Sequence, residues 1–119
     1  MSRLALATSI AHIGVGIGHT FFGIDLFSKP EWKSLPKLFF AYSRVGWYQG
    51  GAFFTIIGLY TYQLSQRDPS TWTSIDRTIL AMTLALYWAS SAWYLKNGDR
   101  STGALTGVVG ALQALCLAQ

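Results

Sequence analysis

The chain has 119 residues, of which 51% are apolar and 12% charged, and its formal net charge is +4. An ordinary soluble domain carries about 25% charged residues. The composition argues against a disordered chain. Its basic residues are scattered singly along the sequence, so they do not form the continuous basic surface that binds nucleic acid. We therefore predict that the chain forms one domain at most and has no nucleic-acid partner.

Four long stretches without a charged residue decide the predicted fold class. They are residues 4–24, 45–66, 78–95 and 101–119. A helix rises about 1.5 Å per residue, so each stretch is long enough to cross a hydrocarbon layer of about 30 Å. We predict an all-α, polytopic membrane protein, an antiparallel bundle of four transmembrane helices. It forms a single membrane domain over residues 1–119, with spans near 4–27, 45–66, 76–95 and 101–118.

Two alternatives remain open for these stretches. A soluble helical bundle could carry them only if partners covered its apolar surface, because monomers rarely expose wide apolar patches. A secretory signal could occupy the first eleven residues, with Arg3 as its basic start. Hydrophobicity continues beyond any cleavage point there, which favours the start of a span.

The connections between the stretches carry the expected helix boundaries. The first, residues 25–44, is long and polar, and its aromatic second half is typical of the membrane interface. In the second, Thr73 or Ser74 is predicted to cap the third helix, with Asp76 in the first turn. In the third, Asn97 and Gly98 predict a helix stop.

Basic residues are distributed unevenly over the two predicted membrane faces. Three lie on the face of the termini and six on the other. The positive-inside rule then favours a cytoplasmic first loop and lumenal or external termini. The chain is therefore predicted to be a multi-pass integral membrane protein, located in the endoplasmic reticulum if the cell is eukaryotic.

Glycine pairs spaced four residues apart predict where helices pack closely. The pairs are Gly14 with Gly18, Gly46 with Gly50, and Gly103 with Gly107. In lipid such pairs let two helix backbones approach each other. They predict tight packing within the bundle or between copies of the chain. The lone Cys116 is expected to be inert packing.

Two histidines, His12 and His19, lie inside the first uncharged stretch. Seven residues make almost two turns, so both rings project from nearly the same face, about 10 Å apart. They cannot both bind one metal ion at about 2 Å, and no metal or cofactor is predicted. Three roles remain possible for these histidines: a structural polar contact, proton transfer or substrate binding, or single axial ligation of a haem.

The predicted catalytic residues are His19 and Asp25, which would move protons. Asp25 lies about 9 Å further along the helix, so a water, a kink or a substrate would have to bridge the two. An ion pair with Lys29 at the helix end is the structural alternative for Asp25. A pair between Asp25 and Arg44 on the same membrane face is a further possibility.

The predicted substrate-binding residues are His12, Arg44, Tyr48 and Gln49. Arg44 would hold an anionic or carbonyl oxygen, and the two residues on the next turn would supply donors. The alternative is that Arg44 reaches lipid headgroups while Trp47 and Tyr48 belong to an aromatic belt.

Aromatic and hydroxyl residues crowd the end of the third predicted helix, on the same membrane face. They are Tyr87, Trp88, Ser90, Ser91, Trp93 and Tyr94. An aromatic belt is the default interpretation. An aromatic-walled pocket that includes residues of the first two helices is also geometrically allowed.

Three short motifs resemble the small four-helix DoxX-like membrane proteins, above all fungal members encoded beside natural-product biosynthetic genes. They are Gly18-His19-Thr20, Arg44-x-x-Trp47-Tyr48-x-Gly50 and Ser91-Ala92-Trp93-Tyr94. The resemblance implies a four-helix bundle that resides in a membrane, and it carries over no catalytic residue.

Together these observations predict an integral membrane enzyme or accessory factor that acts on a lipophilic small molecule in secondary metabolite biosynthesis. Acid/base isomerisation or cyclisation is the reaction considered. The alternative is a non-catalytic membrane subunit that scaffolds a partner enzyme or binds a quinone-like redox component. Membrane lipid, the lipophilic molecule, and a membrane protein partner or a second copy are the predicted partners.

Overall fold

The computed structural model of the protein describes all residues from Met1 to Gln119 and contains no strand, which confirms the predicted all-α class. The helices are α1 (Arg3–Leu26), α2 (Pro30–Lys33), α3 (Lys37–Ser65), α4 (Ser74–Lys96) and α5 (Arg100–Leu117), with a 3-10 turn at Pro69–Thr71. The chain divides into two compact units. One is Ser9–Tyr60, and the other combines Met1–Thr8 with Thr61–Gln119.

Helix α3 begins at Lys37, eight residues before the predicted start of the second span at Val45. The charged residues of the first connection interrupt the apolar stretch, but a charged residue does not prevent a helix. Pro36 is the last residue of that connection that could break a helix, so α3 can begin directly after it. With 29 residues α3 is about 43 Å long, which exceeds a hydrocarbon layer of about 30 Å. Its first two turns expose Leu38, Phe39 and Tyr42.

Of the two residues predicted to cap α4, Thr73 is the one that does so. The Thr73 side chain accepts a hydrogen bond from the Asp76 backbone N–H, and the Asp76 carboxylate accepts one from the Thr73 backbone N–H. This reciprocal capping box satisfies two N–H groups that the first helical turn leaves free. At the other end Gly98 has a φ of 88°, a left-handed conformation that glycine adopts without strain.

Asp99 caps α5 and makes its stability depend on pH. Hydrogen bonds from Thr102, by side chain and backbone, hold the pKa of the Asp99 carboxyl below its usual value. Because the folded-state pKa is lowered, the contribution is present above the unfolded pKa of about 4 and is lost as the pH falls through the folded value. Acid should therefore lower the melting temperature, and Asp99→Asn, which keeps a capping oxygen, should reduce that drop. Circular dichroism melts in detergent between about pH 6 and pH 3 test this, and an unaltered drop contradicts it.

Large apolar side chains are exposed along every long helix, while many polar ones are buried. The exposed residues include Ile10 and Phe21 on α1, Ile56 on α3, Met82 on α4 and Val108 on α5. The fully buried polar side chains are Thr8, His12, Thr61, Ser65 and Gln113. By length and composition, one helix, α1, is apolar enough to cross a membrane. The protein is thus a helical protein with one helix suited to a membrane, and the other spans stay predictions.

Close helix packing uses other glycines than the predicted pairs on α1. A Cβ atom at Gly14, Gly18 or Gly46 would meet nothing within 4 Å, so these three do not pack against another helix of the chain, and packing between copies stays a prediction. At Gly16 a Cβ would lie 2.9 Å from the Gly51 carbonyl oxygen of α3. A four-residue spacing occurs on more than one face of the glycine-rich α1, and therefore does not reveal which face is used.

The glycine pair on α5 does pack as predicted. A Cβ at Gly103 would lie 2.6 Å from Leu95, and one at Gly107 would lie 3.0 Å from the Ser91 hydroxyl oxygen. The Ser91 hydroxyl donates to the Gly103 carbonyl over 2.7 Å. Helices α4 and α5 therefore approach each other along small residues within one unit.

Candidate functional site

The candidate site lies in the unit Ser9–Tyr60, where His19 of α1 meets Trp47 of α3. The two rings are stacked, with centroids 4.0 Å apart and planes inclined by 7°. His19 Nε2 lies 3.0 Å from the Trp47 carbonyl oxygen, and Trp47 Nε1 donates to the His19 carbonyl over 2.8 Å. The two residues thus connect α1 to α3 by a stack and two hydrogen bonds.

A carbonyl oxygen can only accept a hydrogen bond, which fixes the tautomer of His19. Nε2 must carry the proton that is donated to the Trp47 carbonyl, so Nδ1 of the uncharged ring keeps its lone pair. One ring nitrogen is therefore used in helix packing, and the other is available as an acceptor.

Two glycines allow this close approach. A Cβ at Gly23 would lie 2.5 Å from the Trp47 indole, and one at Gly50 would lie 3.2 Å from His19 Nε2. Any larger side chain at Gly23 would have to displace the indole, because no room is left between α1 and the ring. Gly23 and Gly50 are therefore part of the site although they carry no chemistry.

Aromatic rings extend the site toward the first connection. Phe27, which is 5% exposed, lies at the centre and contacts Trp32, Phe40, Trp47 and Tyr48 with centroid distances between 5.1 and 6.2 Å. Edge-to-face contacts of this kind stabilise beyond the apolar area they bury. The cluster fixes the end of α1 against the beginning of α3.

Two further aromatic rings lie beside the His19–Trp47 stack. Phe54 meets the His19 ring edge-on at 5.7 Å, and Phe22 lies 6.0 Å from the Trp47 ring. Phe22 is 50% exposed, whereas His19 and Trp47 are half-buried. The site therefore opens to the surroundings beside an apolar aromatic surface.

The two predicted catalytic residues are not brought together. Asp25 is exposed and forms an ion pair with Lys29, with Oδ2 and Nζ 3.3 Å apart. This is the structural alternative, and no contact links the Asp25 carboxylate to His19 or to Arg44. Proton transfer between His19 and Asp25 therefore has no direct path in this structure and stays a prediction.

The predicted substrate-binding residues occupy different environments. His12 is fully buried, as a structural polar contact would be, and its role in substrate binding stays a prediction. Arg44 and Gln49 are exposed, and Tyr48 is half-buried beside Phe27. Arg44 and Tyr48 lie one turn apart on α3, which is compatible with the predicted headgroup or substrate contact.

Residues at the end of α4 lie in the other unit, and only some of them are buried. Tyr87 is fully buried, and Trp88 fills the space above Gly110. Ala89, Ser90, Trp93 and Tyr94 line an open groove of about 530 Å³. A pocket that joins this groove to α1 and α3 stays a prediction.

Sequence reasoning missed the central position of Phe27 and the partnership between His19 and Trp47. The available signal for this partnership was the pair Gly23 and Gly50, because glycines leave room for large rings to fit beside a helix. No family model, curated protein or solved structure matches this chain. The DoxX-like resemblance therefore stays a prediction.

Proposed function

We propose that the chain is a multi-pass membrane protein in which α1, α3, α4 and α5 each span the bilayer in antiparallel order. The distribution of side chains carries this proposal. Side chains such as Phe21, Ile56, Met82 and Val108 are more than 60% exposed, while Thr8, His12, Thr61 and Gln113 are fully buried or nearly so. Water disfavours this arrangement, and a hydrocarbon solvent favours it, because polar groups in lipid must find partners inside the protein.

Within the membrane, we propose that the chain acts as an accessory factor for a lipophilic small molecule in secondary metabolite biosynthesis. The half-buried His19–Trp47 stack supports this role, since it places one polar ring beside the exposed Phe22. A molecule dissolved in lipid could reach such a surface without crossing water. Binding is favoured over acid/base catalysis because Asp25 pairs with Lys29 and not with His19.

A non-catalytic subunit is the second candidate. The exposed face of α1 at Gly14 and Gly18 favours it, because these glycines have open space around them. A second helix could approach closely there. That helix would belong to a partner enzyme or to a second copy of the chain. In this role the chain scaffolds the partner enzyme or itself binds a quinone-like redox component.

A comparison of products and partners tests these candidates. Lipophilic extracts of cells that lack the chain, cells with the parent and cells with His19→Ala are compared at equal protein level. The accessory role predicts that the product disappears without the chain and decreases in His19→Ala, while the matched variant Tyr62→Phe behaves like the parent. An unchanged product in His19→Ala, with a stoichiometric partner retained in mild detergent, supports the subunit. Unchanged extracts after complete loss of the chain contradict both.

A further inference from the structure

The Nδ1 atom of His19 is an acceptor without a protein partner. The hydrogen bonds of the residue involve Nε2 and the backbone carbonyl. Arg67 Nε is the one side-chain nitrogen or oxygen that is both buried and unpartnered. Since His19 Nδ1 also has no partner and His19 is a half-buried residue, Nδ1 must lie at the protein surface.

The surroundings of His19 determine which molecule could use this acceptor. Phe22, which is 50% exposed, lies against Trp47, and Phe53, which is 38% exposed, lies against Phe54, the ring that meets His19 edge-on. The neighbouring surface is therefore apolar and aromatic. Asp25, near the end of α1, pairs with Lys29 just beyond that helix, and no ion pair or hydrogen bond links the exposed Arg44 of α3 to His19. An ionic group would therefore find no counter-charge from that pair, whereas a neutral donor would find a lone pair.

From this juxtaposition of one lone pair and an aromatic surface, we propose that His19 Nδ1 binds the hydroxyl group of a lipophilic phenol. The phenol O–H donates to Nδ1, and its aromatic ring rests against Phe22. A phenol fits better than an aliphatic alcohol because aromatic pairs add to the apolar area they bury. The hydrogen bond of Nε2 to the Trp47 carbonyl holds the imidazole in the required tautomer. The inference rests on the proposed function and gives the lipophilic molecule a chemical class.

The protein in detergent micelles, labelled with ¹⁵N at histidine, tests this binding directly. The chain contains two histidines, so two sets of ring signals are expected. The probes are 4-nonylphenol and 4-nonylanisole, its methyl ether, which has the same ring and chain but no donor. We expect the phenol to shift the Nδ1 signal of His19 and the ether to leave it in place. The signals of the buried His12 provide the internal control.

Labelling of tryptophan gives an independent measurement of affinity. The Trp47 indole donates to the backbone carbonyl of residue 19, so the indole signal survives His19→Phe, which preserves an aromatic ring beside Trp47. We expect His19→Phe to weaken phenol binding by about tenfold, the effect of one lost hydrogen bond, and to leave ether binding unchanged. Tyr62→Phe, which removes a hydroxyl group elsewhere on α3, should alter neither.

The outcomes separate this inference from the proposed function. If both probes move the Trp47 signal equally and neither moves Nδ1, the phenol inference is overturned while binding of a lipophilic molecule is retained. If neither probe affects any signal of the site, the proposed function fails as well. A shift of Nδ1 by the phenol alone, weakened in His19→Phe by the indole measurement, supports both.

Discussion

Substitution of Gly16 by alanine should destabilise the protein by about 1–3 kcal/mol, because the new methyl group has no room between α1 and α3. Its Cβ would lie 2.9 Å from both the Gly51 carbonyl oxygen and the Thr55 backbone nitrogen. Both neighbours are backbone atoms of α3, so only a shift of a whole helix could relieve the contact.

Gly14→Ala is the matched control on the same helix. No atom lies within 4 Å of its Cβ position, and alanine is favoured over glycine in a helix by about 1 kcal/mol. We therefore expect Gly14→Ala to leave stability unchanged or to raise it. Thermal unfolding in one detergent, followed by circular dichroism and by tryptophan fluorescence, compares the two variants. Equal effects of Gly16→Ala and Gly14→Ala would show that α1 and α3 do not pack through Gly16.

Asp76→Ala should have the largest effect among the charged residues, with a loss of about 2 kcal/mol. The Asp76 side chain accepts the Thr73 N–H at 2.7 Å and pairs with Arg67 at 3.3 Å, and the residue is only 6% exposed. Its removal takes away a capping interaction and leaves the guanidinium of Arg67, whose Nε is already buried without a partner, with no carboxylate.

Two further variants separate the components of this effect. Asp76→Asn keeps an acceptor for the Thr73 N–H but loses the charge, so its stability should lie between those of the parent and Asp76→Ala. Asp68→Ala removes an exposed carboxylate of the same connection, which caps only the 3-10 turn, and should cost less. The melting temperatures of the three variants in detergent are compared. A loss in Asp68→Ala as large as in Asp76→Ala would contradict the structural role of Asp76.

Helix boundaries set by local chemistry could be predicted from the sequence. Thr73 with Asp76, and Asn97 with Gly98, act through their own backbone within one turn, so their residue types alone determine the outcome. The start of α3 could not be predicted in the same way. Charge marks where a helix leaves lipid, whereas Pro36 limits where the helix itself can begin.

Contacts between helices required the structure because they depend on rotation and register. His19 was identified as a candidate, but its partner Trp47 lies 28 residues away, and nothing local specifies that the two rings stack. The same holds for Gly16, which packs, and Gly14, which does not, since both lie on one apolar helix. Asp25 could be placed correctly beside Lys29, because four residues form one turn.

Side-specific labelling of introduced cysteines tests the four-span arrangement most directly. Ser34, Ser70 and Ser101 are exposed and lie in or beside the three connections, and the native Cys116 is fully buried and gives an unlabelled background. In sealed membrane vesicles treated with an impermeant maleimide, Ser34→Cys and Ser101→Cys should react from one side. Ser70→Cys should react only from the other. Labelling of all three from the same side, or recovery of the protein in the soluble fraction without detergent, would contradict the account.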